Sequence, residues 1–165
     1  MAAVAVFTGQ VEGEVVFKDT PTGCRVLATF HKVPAGLHGF HIHKAGDLRG
    51  LGCKGACDHY HVGPASVHGG EPSAAGPRHT GDLGNISGPT FSKRYFLRSV
   101  RAADLYGRSL IVHADEDDLG LGPFEDSGTT GHSGARIACA IIGRISCGET
   151  RKVGNNKTKR QMDSL

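Results

Sequence analysis

"CRVLATFHKV", residues 24–33, decides how the chain folds. Val26, Ala28 and Phe30 fall on one face of an extended backbone, and a period of two marks a strand with one buried side. Turn signals bracket this run: "DTPTG" (19–23) before it and "PAGLHG" (34–39) after it, with "GQVEG" (9–13) upstream. The same punctuation separates further short apolar runs. These are "AAVAVFT" (2–8), "EVVFK" (14–18), residues 39–43, "KRYFLRSV" (93–100), "RSLIVHA" (108–114) and "ARIACAIIGRIS" (135–146). No strong helical period and no internal repeat is present. Short strands between Gly/Pro turns predict an all-β, antiparallel sandwich or barrel.

At 165 residues the chain is long enough for one domain with its own core. Trp is absent and aromatic residues are few, so that core rests on Val, Ile, Leu, Ala and Phe. The 25 glycines are scattered, as many turns require. The net charge of +3 is localised: five of the 19 basic and two of the 16 acidic residues lie in 147–165, which leaves the rest balanced. Residues 1–146 therefore read as the folded domain and 147–165 as a basic, solvated, disordered tail. A balanced folded part argues against a nucleic-acid binder. No apolar run reaches the ~18 residues of a membrane span. "MAAVAVF" lacks the basic start and long apolar stretch of a signal peptide. The expected location is cytoplasmic, or the host cytoplasm or virion if the source is viral. Cys53 and Cys57 do not have zinc-finger spacing, and an intracellular disulfide would need protection by the fold.

"GFHIHKAGD" (39–47) places His41 and His43 on one face of a strand, their roots about 7 Å apart. That suits two nitrogens closing on one metal ion; two surface histidines on an edge strand is the alternative. Two long stretches, 44–85 and 115–134, lack regular pattern, and each begins directly after a histidine-bearing strand. Structureless loops of that length are usually functional. The first holds His59, His61, His68, His79 and Asp82, and the run before the second supplies His113. A single histidine is ordinarily a satisfied core residue, but that does not explain so many imidazoles on glycine-rich loops. Nitrogen ligands with one carboxylate suit Zn(II) and Cu(II), not Ca(II) or Mg(II).

"GLHGFHIH" (36–43), "HTGDLGN" (79–85), "SLIVHADEDDLGLG" (109–122) and "GARIACAIIG" (134–143) resemble the copper–zinc superoxide dismutase family, in the family's order and up to about Ser146. The resemblance implies an eight-stranded Greek-key β-barrel or immunoglobulin-like sandwich with two long functional loops. It implies an intracellular-type oxidoreductase that removes superoxide radicals, converting them to oxygen and hydrogen peroxide. It also implies a homodimer, with a copper chaperone as a partner in metal loading. Carried over by position, His41, His43, His59 and His113 match the copper ligands, and His59, His68, His79 and Asp82 the zinc ligands. The resemblance prefers His59 to His61 as the bridge, because His59 lies six residues after Cys53 as the family's bridging histidine does after its bridged cysteine. In the family the bridge leaves copper on reduction and takes a proton, while zinc, which is redox-inert, holds its far nitrogen. Catalytic roles fall to His59 and to Arg136, which matches the arginine above the copper and attracts the anion. Asp117 matches the aspartate that ties a copper-ligand histidine to a zinc-ligand histidine. Cys53 and Cys139 match the family's disulfide, leaving Cys24, Cys57 and Cys147 over. His38 would be structural, and His31 and His132 have no ligand counterpart.

The chain departs from the family in four places. The segment from Asp82 to His113 is shorter, which trims a connection. Asp115 and Thr129 stand where the resemblance puts two steering lysines; with Glu125 and Asp126 nearby, this predicts weaker electrostatic focusing. Arg144 replaces an apolar dimer residue, weakening the dimer or lying solvated at its rim. The basic tail has no counterpart. Two other functions compete: a non-enzymatic copper-chaperone or metal-storage domain, and a zinc hydrolase with an open site. The complete ligand set with Arg136 argues against the first, and Asp117 with the second histidine set against the other. The sequons "NIS" (85–87) and "NKT" (156–158) read as chance.

Overall fold

The computed structural model describes residues 1–146. The period-two runs all become strands. β1 (Ala2–Phe7), β2 (Glu12–Thr20) and β3 (Gly23–Lys32) form an antiparallel meander. β3 then pairs with β6 (Phe91–Arg98), far along the chain. In the second sheet β4 (Leu37–His43) lies between β5 (Asp82–Ser87) and β7 (Ser109–His113), and β7 pairs with β8 (Arg136–Ile141). The β3–β6 and β4–β7 neighbours are the non-sequential pairings of a Greek key. The last run divides at the buried Ile142, whose N–H donates to the Arg108 carbonyl. Beyond it, β9 (Gly143–Arg144) pairs with β1, so the run passes from the four-stranded sheet to the edge of the five-stranded one.

The inner faces meet in one apolar core. Val26, Ala28 and Phe30 point inward as the alternation predicts. The Phe30 ring packs on Phe7 at 5.4 Å and edge-on to Phe40 at 5.7 Å. Each such side chain contributes roughly 1.5–3 kcal/mol by leaving water. β4 is unusual because both of its faces are buried. Phe40 and Ile42 enter the core, and His41 and His43 lie on the other face, yet are equally shielded. An antiparallel sandwich strand ordinarily has one wet face; here the two long loops cover it.

The stretch 44–85 is not loop to its end, because its last four residues open β5. The "DLGNIS" run escapes a periodicity search because Gly84, with φ +75°, and Asn85 interrupt Leu83 and Ile86. The shortened connection from β6 to β7 is closed by α1 (Ala102–Leu105), which buries Ala102 and Leu105. The long loops contain only a 3-10 turn at Lys54–Ala56 and α2 (Ser127–Thr130). A disulfide between Cys53 and Cys139 ties the first loop to β8 across 86 residues. Cys24 is buried on β3 and Cys57 is exposed; the tail 147–165, with Cys147, lies outside the described residues.

Candidate metal centre

The site is built on the outer face of the four-stranded sheet. His41 lies across from Asp82 on β5 and Ile111 on β7. On β8, Arg136 pairs with His113 and Cys139 with Ile111. Gly39 leaves the space these rings need: a Cβ there would strike Ser133 and come within 3.1 Å of His41 Cε1. The first loop delivers His59 by an isolated bridge to His43.

Six buried imidazole nitrogens have no hydrogen-bond partner: His41 Nδ1, His43 Nε2, His59 Nε2, His113 Nε2, His68 Nδ1 and His79 Nδ1. In most of these rings the opposite nitrogen is committed. His41 Nε2–H donates to Asp117 Oδ2 at 2.7 Å, His43 Nδ1–H to the Cys57 carbonyl at 2.8 Å and His113 Nδ1–H to the Gly134 carbonyl at 3.1 Å. A proton on that nitrogen leaves the lone pair on the unpartnered one. Each buried polar atom left unpaired costs about 1–3 kcal/mol, so their convergence points to a cation. His41, His43, His59 and His113 each offer a ligand atom within 4.8 Å of the others. His59, His68, His79 and Asp82 form a second such group. Here His59 Nδ1 lies 2.8 Å and His68 Nδ1 3.1 Å from Asp82 Oδ1, with His79 Nδ1 3.3 Å from Oδ2. His59 belongs to both groups, with Nε2 toward one and Nδ1 toward the other.

Asp117 joins the groups. Its Oδ2 accepts from His41, and its Oδ1 accepts from His68 Nε2 at 2.8 Å. Gly131, at φ +70°, passes so close that a Cβ would collide with Asp117 and His68. Two residues in this arrangement escaped the sequence reading. Asn85 clamps the Asp117 backbone, donating to its carbonyl at 3.0 Å and accepting its N–H at 2.7 Å. Arg78 donates to the carbonyls of Gly70, Thr80 and Asp82 and fixes the loop around the second group. Asn85 stands in the "HTGDLGN" motif, but nothing in the pattern announces Arg78.

The remaining histidines are occupied elsewhere. His61 donates through Nε2 to the Pro64 carbonyl at 2.7 Å and accepts the Thr80 N–H at Nδ1. It belongs to neither group, which favours His59 at the shared position. His38 is spent on the carbonyls of His113, Ala114 and Pro34. His31 pairs with Glu12, and His132 stacks on Phe124 beside Asp126.

Burial pushes His41 far below the ordinary imidazole range, His43 down to about 2 and His113 to about 4. All three are neutral at neutral pH, as a metal ligand must be. Burial acts the same way on His68, but its bond to Asp117 and the adjacent Asp82 carboxylate outweigh it and raise that ring to about 9. Burial opposes ionisation of Asp82 too, yet the bond from His59 and the adjacent His68 ring hold its carboxyl well below the usual range. Arg136 donates to the carbonyls of Cys53 at 2.8 Å and Cys57 at 2.7 Å. The Cys57 carbonyl also receives His43, so the guanidinium is tied to the first group. Asp115, Glu125 and Thr129 are exposed on the second loop.

A Greek-key β-sandwich with two adjoining histidine groups that share one imidazole defines a class, the proteins built to hold two metal ions side by side. The chain belongs to the copper/zinc superoxide dismutase family, whose sequence profile matches residues 11–142. It is 39% identical to a superoxide dismutase [Cu-Zn] of Paramecium bursaria Chlorella virus 1, over 87% of this chain and 78% of the viral protein. It is 46% identical to an extracellular superoxide dismutase [Cu-Zn] of Haemonchus contortus, over 79% and 73%. It is also 40% identical to a human copper chaperone for superoxide dismutase, where it spans 53% of that longer protein.

Proposed function

We propose that this protein is an active dismutase, in which two superoxide ions and two protons yield oxygen and hydrogen peroxide. His41, His43, His59 and His113 would hold copper, and His59, His68, His79 and Asp82 zinc. The observation that carries this reading is the set of six buried, unpartnered nitrogens in two groups sharing His59. Copper supplies a one-electron couple, while zinc is redox-inert. The chain's own residues do the rest. Arg136 presents a fixed cation beside the first group and binds the anion, favouring superoxide over neutral molecules. His59 Nε2, buried next to that group, is the atom at which a proton is held for delivery to reduced substrate. Asp117 fixes the orientation of the His41 and His68 rings, and the two loops exclude water. We infer a homodimer with Arg144, exposed on β9, at the contact's rim.

The likeness to copper chaperones supports a second reading, metal delivery without turnover. The test is metal content and spectrum of the purified protein, followed by assay. The dismutase reading expects copper and zinc in equal amounts, a Cu(II) visible band, and turnover that falls at least tenfold in Arg136→Ala, the loss of one charge-assisted hydrogen bond. A colourless, zinc-only protein would point to hydrolysis, and a fully loaded but inactive one to delivery or storage.

A further inference from the structure

The balanced charge of residues 1–146 conceals a segregation. Asp115, Glu116, Asp117, Asp118, Glu125 and Asp126 all lie on the second long loop, beside the metal centre. The outer face of the five-stranded sheet carries an apolar cluster of Val4, Val16 and Leu27, and beside it, toward β6, a basic patch. Arg94, Phe96 and Arg98 point outward on β6, Arg25 on β3 and Lys18 on β2. Arg25 lies directly between Phe96 and Lys18 in the ladder. Arg94 and Arg98 stand one outward position to either side of Phe96. Like charges directly opposed across strands destabilise a sheet. Among the described residues no ion pair relieves Lys18, Arg25 or Arg98. The outward carboxylate on β2, Glu14, is four residues from Lys18, about 13 Å along the strand.

This face carries more than charge. Phe96 is 37% exposed, and its ring lies where a Cβ on Gly23 would collide with it, so the missing side chain seats it against the sheet. A groove of about 1070 Å³ runs between the strands and Glu71–Ser73, lined by Arg25, Arg94, Phe96 and Arg98. It is also lined by Tyr95, whose buried hydroxyl has no partner. The described chain ends at Ser146, just after β9 at the other edge of this sheet, and residues 147–165 add a net +3 by sequence.

We propose that this face binds single-stranded nucleic acid. Lys18, Arg25 and Arg98 meet successive phosphates, and an unpaired base stacks on Phe96. Cations flanking an exposed aromatic ring are what a flexible strand with accessible base faces requires. A duplex keeps its bases stacked and offers Phe96 nothing.

The test uses the full-length, metal-loaded protein and a fluorescent 20-nucleotide polythymidine, read by anisotropy at several salt concentrations. Affinity should fall with salt, with a log–log slope near −0.7 per phosphate contacted. The double variant Arg25→Gln/Arg98→Gln should weaken binding more than tenfold. Phe96→Leu, which keeps apolar cover over Gly23, should weaken it about fivefold or more. Dismutation should stay unchanged in both, since no hydrogen bond or ion pair joins Arg25, Phe96 or Arg98 to a residue of the metal centre among the described residues. Unchanged binding in these variants, with loss on neutralising Lys157, Lys159 and Arg160, would assign the affinity to the tail and overturn the proposal. So would equal affinity for duplex DNA, or for a sulphated polysaccharide whose binding ignores Phe96.

Discussion

Replacing Asp117 by Asn keeps the shape of the side chain and removes its charge and one acceptor oxygen. The carboxylate accepts from His41 Nε2 at 2.7 Å, His68 Nε2 at 2.8 Å and the Leu119 N–H at 2.7 Å. An amide cannot serve both rings, because its NH2 faces one of them donor to donor. The two rings are not held equally. His41 is locked in β4, between two paired strands. His68 is on the long loop, where its backbone N–H reaches the Gly128 carbonyl at 2.8 Å. Loss of the anchor therefore frees His68 first, and zinc suffers more than copper. A charge-assisted hydrogen bond is worth about 1.5–3 kcal/mol, which converts to roughly ten- to hundredfold in affinity. Competition with a chromophoric chelator reads both metals. Zinc affinity should fall by that factor and copper affinity by less. If copper weakens while zinc does not, or if neither moves beyond twofold, Asp117 does not connect the two groups as argued.

Three further perturbations follow from the same geometry. In the metal-free, disulfide-intact protein, the lowered pKa of His113, about 4 against 6.5, gives stability that is complete above pH 6.5 and lost as pH falls through 4, about 3 kcal/mol in all. His68, raised to about 9, has the opposite sign: its contribution is complete below 6.5 and disappears as pH rises through 9. Urea midpoints should therefore peak near pH 6.5, and a steady rise up to pH 9 would remove the His68 argument. Changing Cys53 and Cys139 together to Ser opens an 86-residue connection and should cost about 4–5 kcal/mol by chain entropy; an unshifted thermal midpoint would show that the loop is held by its other contacts. Asp115→Lys should raise kcat/KM several-fold at low salt, with the gain vanishing as ionic strength climbs. A salt-independent rate in both proteins would mean that steering is set by Arg136 alone.

The strands and the histidine pair were legible because period-two patterning is local. Val26, Ala28 and Phe30 reveal β3, and "HIH" needs only a strand to bring two imidazoles together. β5 was hidden because Gly84 adopts a positive φ within it. Arg78 and Asn85 act on backbone groups distant in sequence, and such bonds leave no periodic trace. The choice between His59 and His61 could not come from "HYH" alone, since both are equally spaced about Tyr60. The fold favours His59 by burying Tyr60 under Arg108, 4.0 Å from its ring, and by spending both His61 nitrogens on Pro64 and Thr80. The basic face was invisible to a net-charge count, because neutrality over a domain says nothing about which side of a sheet each charge occupies.

A working copper–zinc dismutase centre and a metal store differ in turnover. The direct measurement is superoxide dismutation by the purified, copper- and zinc-loaded protein beside a His43→Ala variant of matched zinc content. Rapid turnover that disappears with the His43 imidazole is the predicted result. An inactive wild-type protein with both metals bound, or activity that survives in His43→Ala, would contradict it.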